Sequence, residues 1–444
     1  MNNFSRIKEP LTLLGNYIST KYGRSWGSRR ELLLWQEWQV RRHLRYVLAR
    51  SPYYREAAGG LPLEQWREFP VIDKREMMAH FDRLNTEGIG LEEALEAAWE
   101  AEKCRDFSPT VRGITVGLSS GTSGHRGVFL VSRQEQMAWA GTIMAKVLPG
   151  GLLQKHRVAF FLRANSNLYA SVRKGRIEFQ YFDLLEPIEK HVSQLNTYRP
   201  TLLVAPASVL RLLAEAVKTG ALHIRPDKIV SVAEVLDPLD ERYIGECFGR
   251  QVHQIYQCTE GFLGFTCSHG TLHLNEDLLV VEKEYLEGAE RKFVPILTDF
   301  RRRTQPIIRY RLNDILTERK EPCPCGSKLL ALEQIEGRSD DLFYLHSVAD
   351  GRRKPVFPDF IRRAVLSASP EIEEYLIIQH SERLVECSLK VRPELEAACR
   401  EQVSRALTEL CSRLHCHAPN IRYSEYVRGP RERKLRRVER RFAL

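Results

Sequence analysis

Apolar residues recur at helical spacing through ELLLWQEWQVRRHLRYVLAR (31–50), and LEEALEAAWEAEKC (91–104) is rich in helix formers. Residues 1–105 are therefore predicted to be mostly helical, with loops around Ser51-Pro52 and Phe69-Pro70. From about Val111 the pattern changes to short β-branched runs, ITVGL, VAFFL, TLLVAP, KIVSVAEVL and QVHQIYQ, separated by helix-length stretches. That alternation predicts a parallel or mixed α/β sheet. After Arg309 short strands and turns follow, up to a polar junction at GRSDD (337–341). Beyond it VFPDFIRRAVLS reads as a helix, YLIIQH and VECSLKV as strands, and ELEAACREQVSRALTELCSRL as a long amphipathic helix. The expected organisation is a large α/β domain over 1–338 and a small α+β domain over 339–444, with a hinge at Asp340.

Lys and Arg exceed Asp and Glu by ten over 444 residues. Much of the excess lies between Arg428 and Arg441, where eight basic residues meet only Glu432 and Glu439. Such a tail suits a phosphorylated small molecule, an acidic protein or nucleic acid. An aromatic-basic repeat or a nucleic-acid module is not visible, which makes a nucleic-acid binder the remote reading. No apolar run approaches the roughly 18 residues of a membrane span, and the N-terminal segment is too polar for a signal peptide, so a cytoplasmic location is expected. In that compartment the ten cysteines point to metal binding or burial rather than disulfides.

Two constellations carry chemistry. The run LSSGTSGHRG (118–127) lies between strand-like ITVGL and VFLVS. Closely spaced backbone N–H groups and hydroxyls without side-chain bulk can wrap a polyphosphate, and they also suit a hairpin turn. The run lacks the Gly-Lys-Ser/Thr closure of a P-loop. Cys323 and Cys325 in PCPCGS, with Cys267 and His273 in TCSHGTLHL, offer three thiolates and an imidazole. This is the donor set of a closed, structural zinc site; His269 is the alternative imidazole, and reduced loop cysteines are the rival reading.

Taken in order, SSGTSG, VSVAEVL (230–236), IYQCTEG (255–261), RYRLNDI (309–315) and GRSDD resemble the core motifs of the adenylate-forming superfamily, which activates carboxylates as acyl-AMP. The nearer resemblance is to phenylacetate–CoA ligases and to enzymes that adenylate a deazaflavin (coenzyme F390 synthetases). RYVLARSPYYREA, FPVIDKREM, LHLNED, CPCG and KPVFPDFI share it, so it covers nearly the whole chain.

The resemblance implies roles residue by residue. Ser119, Ser120, Gly121, Thr122, Ser123 and Gly124 would close over the ATP phosphates. A lysine often found after the second glycine is replaced here by His125-Arg126, and Arg126 is a candidate substitute of different geometry. Ala233 and Glu234 would line the adenine pocket and Tyr256 would stack on the purine. Thr259 would lie near the α-phosphate and Glu260 would hold Mg²⁺, while Cys258 between them only packs. Asp314 would bind the ribose hydroxyls and Arg338 would add a second nucleotide contact. Lys434, in RKLRRVERR, would be the catalytic lysine of the small domain, although Arg433 stands where a glycine usually precedes it. Walls of the acyl pocket are expected from residues 160–182, Val232, Phe262 and Phe265.

The implied reaction is ATP-dependent adenylation of a carboxylic acid, aromatic by the character of those walls. Transfer to the thiol of CoA or of phosphopantetheine on an acidic carrier protein would follow. The alternative is transfer of AMP to a cofactor hydroxyl, as in the deazaflavin enzymes.

Overall fold

The computed structural model describes residues 3–104, 110–118, 127–162, 176–184, 186–286, 289–427 and 435–442. The loop residues Ser119 to Gly124, Arg126 and Lys434 lie outside them.

Long helices Asn3–Tyr22 and Arg29–Leu48 open the chain, and Leu91–Cys104 closes its helical region, in keeping with the apolar spacing. Ser28 caps the second helix by accepting a hydrogen bond from the Glu31 amide. Asn3–Tyr22 packs along Arg133–Val147, where Gly141 permits close approach: a Cβ there would stand 2.2 Å from the carbonyl oxygen of Leu13. Arg133–Val147 starts in a capping box formed by Ser132 and Glu135.

One twelve-stranded sheet dominates the large domain. Its parallel half runs Ile177–Asp183, His156–Leu162, Leu202–Ala205, Lys228–Ser231 and Val252–Cys258. Leu202–Ala205, inside this half, is covered on both faces, which is why LLVA is buried at every position. At Val252–Cys258 the sheet switches to antiparallel pairing with Gly261–Thr266. It continues through Leu272–Leu274, Ala331–Arg338, Asp314–Glu318, Lys292–Asp299 and Leu279–Tyr285, with Ile307–Arg311 also paired to Lys292–Asp299. A separate three-stranded sheet holds Ile114–Leu118 against Val128–Val131, the two strands that flank the glycine-rich run.

The small domain has a four-stranded sheet in the order Asn420–Glu425, Leu384–Lys390, Glu374–Ser381, Val438–Arg440. Helices Pro358–Ala368 and Glu396–Arg413 bury Ile361, Val365, Val403 and Leu407 in one core with Tyr375 and Ile377 of that sheet. Among the described residues no helix is long and apolar enough to cross a membrane.

Candidate active site

In open α/β sheets the carboxyl ends of parallel strands form the binding crevice. Here Leu184, Pro206, Ala233-Glu234 and Cys258-Thr259 each follow or end such a strand and line one cavity of about 1010 Å³. Ala233 adopts a positive φ of 66°, which turns the chain sharply after the buried strand Lys228–Ser231. Glu234 accepts from the Ser208 amide at 2.9 Å and the Ser208 hydroxyl at 3.1 Å. Those bonds satisfy open donors at the start of helix Ala207–Lys218. The same carboxylate accepts from the backbone N–H of Leu435 at 3.2 Å. The residue after Lys434 is thus tied to the predicted adenine segment.

Tyr256 is buried and donates its hydroxyl to Asp314 Oδ2 at 2.5 Å. Asp314 stands opposite Arg338 in the pairing of Asp314–Glu318 with Ala331–Arg338, so three residues predicted to contact the nucleoside adjoin. Thr259 and Glu260 form the turn between the last parallel strand and its antiparallel partner. Glu260 accepts from Thr259 Oγ1 at 2.9 Å and from the Tyr310 hydroxyl at 2.9 Å. Tyr310 is held in turn: Ile72 of FPVID donates to the Arg309 carbonyl at 3.1 Å, and Arg311 donates back to Ile72 at 2.8 Å. This explains why two motifs far apart in sequence occur together. Burial, then Asp314, raises the Tyr256 hydroxyl; burial, then Glu260, raises that of Tyr310. Both remain protonated donors at neutral pH. Burial and Glu260 likewise raise the Cys258 thiol, so it stays neutral and packs.

Tyr256, Glu260, Asp314 and Arg338 are not among the cavity-lining residues. Among the described residues, Phe262 is the one expected acyl wall that lines it. Phe265 and Val232 instead pack with Phe160 and Phe179 in a core cluster, and Lys146 covers the Phe265 ring at 4.6 Å. Residues 163–175 lie outside the described set. Part of the wall comes from helices that the pattern alone did not assign to a site, including Thr12, Asn16, His43, Trp139 and Thr142.

Sequence reasoning also missed the run Arg301-Arg302-Arg303, which joins strands Lys292–Asp299 and Ile307–Arg311. The three side chains splay to different walls. Arg301 Nη2 donates to Asn16 Oδ1. Arg302 donates to the carbonyls of Thr259 at 3.1 Å and Leu130 at 3.3 Å, linking the Thr259 turn to the strand after the glycine-rich run. Arg303 lies over the Tyr46 ring at 5.0 Å. Charge density in FRRRTQP was the available signal. Nearby, burial raises the Asp299 carboxyl to about 6 and, with Arg303, lowers His43 to about 3.

The junction at GRSDD is held on both sides. Asp340 accepts from Asn313 Nδ2 at 3.1 Å, while Asp341 pairs with Arg436. The two domains meet through charged groups: Arg437 clasps Asp240 with contacts of 2.6, 2.7 and 3.0 Å. Arg362 pairs with Asp237 at 3.1 Å, and the Tyr375 hydroxyl donates to the same carboxylate at 2.7 Å. Asp237 caps helix Pro238–Phe248, three residues after Glu234.

Away from the cavity, Cys267, His273, Cys323 and Cys325 bring their ligand atoms within 4.8 Å of one another. Cys267 Sγ lies 3.7 Å from Cys323 Sγ, and Cys325 Sγ lies 3.4 Å from His273 Nε2. A tetrahedral site with Zn–S bonds of about 2.3 Å has S···S edges of about 3.8 Å, so the four atoms fit a metal of that size. His273 Nδ1 faces the Leu329 carbonyl at 3.1 Å, which orients Nε2 toward the thiols. His269 is exposed and offers Cys267 only its backbone N–H, at 3.4 Å. The imidazole of the cluster is therefore that of His273.

No family model matches the chain. An indoleacetate–lysine synthetase of Pseudomonas savastanoi is 29% identical over 268 residues, 57% of this chain and 64% of that protein. The chain thus matches less than two thirds of the length of that relative. A phenylacetate–coenzyme A ligase of Thermus thermophilus is 23% identical over 426 residues, 87% of this chain and 88% of that protein. Among solved structures, 2-hydroxyisobutyryl-CoA ligase with 2-HIB-AMP in the postadenylation state superposes with a TM-score of 0.67 at 17% identity, covering 91% of this chain and 89% of that one. The GH3.15 acyl acid amido synthetase gives 0.55 at 12% identity, covering 90% of each chain. The relatives and structural neighbours are adenylate-forming ligases, and the chain has their fold: a large N-terminal α/β domain followed by a small α+β domain.

Proposed function

We propose that the protein adenylates a carboxylic acid with Mg·ATP and passes the acyl group to a nucleophile. The observation that carries this reading is the convergence of Ala233-Glu234, Thr259 and the Leu435 amide at the carboxyl ends of the parallel strands, beside one large cavity. Adenine sits along Ala233-Glu234 with Tyr256 against its plane, and Asp314 accepts from the ribose hydroxyls. One Asp314 oxygen already takes the Tyr256 hydroxyl, which fixes its rotamer, and an ionised carboxylate can accept more than one hydrogen bond. Arg338 opposite adds a cation. Ser119 to Gly124 would close over the phosphates, and Arg302, bonded to the Thr259 carbonyl, supplies positive charge where the loop lacks a lysine.

Glu260 brings its carboxylate beside the hydroxyls of Thr259 and Tyr310, and carboxylate oxygen is the ligand type a hard cation takes. Held by Glu260, a magnesium ion would supply charge neutralisation to the phosphates. The acid's carboxylate oxygen bonds to the α-phosphorus, the bond from that phosphorus to the bridging oxygen breaks, and pyrophosphate leaves with the electron pair. The cation assigned to this step is Lys434, whose charge would lower the cost of bringing the two anions together. The domains then separate about Asp340, near a boundary at 338/339, and the acceptor enters. We assign the acceptor as the thiol of CoA or of a carrier protein. An amine is the second reading, because the relative of higher identity is an indoleacetate–lysine synthetase. Cys267, His273, Cys323 and Cys325 hold a structural zinc that takes no part in the reaction.

Lys434→Ala tests the assignment of that residue. Acyl-AMP formation should fall by roughly a hundredfold or more, whereas thiolysis or aminolysis of supplied acyl-AMP should change little. Equal loss in both half-reactions removes Lys434 from its role.

A further inference from the structure

Arg301 is a half-buried cation of the cavity wall that the adenylation chemistry leaves unused. Among the described residues its guanidinium has one side-chain hydrogen bond, to the neutral Asn16 Oδ1, and no ion pair. Asn16 is fixed for this contact because its Nδ2 donates to the Thr12 carbonyl at 2.7 Å. The carboxylates around Arg301 are committed elsewhere. Asp299 accepts from the Arg301 backbone amide at 2.8 Å. Asp277 is taken by Lys146 at 3.0 Å and Arg24 at 3.2 Å. Burial, then the repulsion of Arg24, lowers the Arg301 guanidinium to about 10. Asp299 and Asp277 attract it electrostatically, but among the described residues no carboxylate forms an ion pair with its guanidinium.

A second observation lies on the same walls. Thr142 is 1% exposed and lines the cavity, yet its hydroxyl has no hydrogen-bond partner among the described residues. Gly141 beside it contacts Leu13 and Tyr17, so the helices bearing Thr142 and Asn16 abut along the cavity. A buried polar atom without a partner costs stability unless a ligand satisfies it. The ATP phosphates do not fill this requirement. Arg302 is the arginine bonded to the Thr259 carbonyl, whereas Arg301 turns toward helix Asn3–Tyr22.

The geometry points to an acid substrate with a second anionic group, a carboxylate or its equivalent, away from the one that is adenylated, and to Arg301 as the residue that reads it. This inference rests on the adenylation reading for the identity of the site. It replaces a purely apolar acyl group with a bifunctional one. A guanidinium suits such a group because its planar fork matches a carboxylate. The exposed Arg42 and Arg303, also on the cavity wall, add positive charge that favours entry of a dianion.

The test is calorimetric titration of the full chain with matched acids, phenylacetate against 4-carboxyphenylacetate and hexanoate against adipate. Parent, Arg301→Met and Arg301→Lys are compared, with pyrophosphate exchange measured in parallel. At least one diacid should bind the parent roughly tenfold or more tighter than its monoacid, and Arg301→Met should abolish that ratio. Arg301→Lys, which keeps the charge and loses the fork, should fall between and remains informative if the methionine variant does not fold. A ratio that favours monoacids in all three proteins, or no diacid binding to the folded parent, overturns the inference. Binding that depends on Arg301 without exchange supports the subsite and removes adenylation. Exchange with a ratio indifferent to Arg301 keeps adenylation and removes the subsite.

Discussion

Replacing Arg437 by methionine should impair one half-reaction and spare the other. Arg437 follows Lys434 by three residues, is 6% exposed, and spans the domains by clasping Asp240, which is 1% exposed. Truncating one partner of a buried ion pair costs about 3–5 kcal/mol when the other charge is stranded. Here Asp240 keeps Arg211 at 3.2 Å, so the loss is nearer that of charge-assisted hydrogen bonds, about 2–3 kcal/mol. The cost falls mainly on the closed arrangement, since Asp240 belongs to the large domain and Arg437 to the small one. It corresponds to a roughly 30- to 150-fold shift in the equilibrium between docked and separated domains. Pyrophosphate exchange should therefore fall by about one to two orders of magnitude. Thiolysis of supplied acyl-AMP should stay within about threefold, because it proceeds from a separated arrangement. Asp240→Asn should behave alike, and the double variant should lose little more than either single one, since both remove the same contact. Equal losses in both half-reactions, or strictly additive effects, would refute the latch.

Two further outcomes follow from the electrostatics and the thiol cluster. Burial raises the Asp299 carboxyl to about 6 from an ordinary 3.8, so the folded chain holds a proton that the unfolded chain has released. Its contribution to stability is present below about pH 4 and is lost as pH rises toward 6, a cost of about 3 kcal/mol at neutral pH. The stability of Asp299→Asn relative to the parent should thus improve between pH 4 and 7 in urea unfolding, and a constant difference contradicts this. Cys325→Ser should cost the purified protein its stoichiometric zinc and lower Tm by several degrees. A parent that contains no zinc after expression in zinc-replete medium contradicts the assignment.

The helices and parallel strands were legible because their periodicity is local: LLVA and the 31–50 helix state their burial in their own spacing. The pairing that sets Asp314 opposite Arg338 joins two separate motifs through the sheet rather than through local spacing. The cavity walls were not legible. Thr12 and Asn16 occupy polar positions that read as a solvent face, and only the packing of two helices at Gly141 turns them inward. Phe265 and Val232 look like pocket walls because they are apolar, but they fill the core. The basic tail read as one charge cluster, whereas Arg436 and Arg437 have separate buried partners in Asp341 and Asp240. Such pairings join residues about a hundred or more positions apart, beyond what a local pattern encodes.

The central claim is reversible acyl-AMP formation, and carboxylate-dependent exchange of labelled pyrophosphate into ATP measures it directly. Across a panel of aromatic, aliphatic and amino acids together with diacids, one structural class should support Mg²⁺-dependent exchange, and no exchange should occur without acid. Exchange that is absent with every acid, in folded protein that binds ATP, would contradict the account and favour transfer of AMP to a hydroxyl.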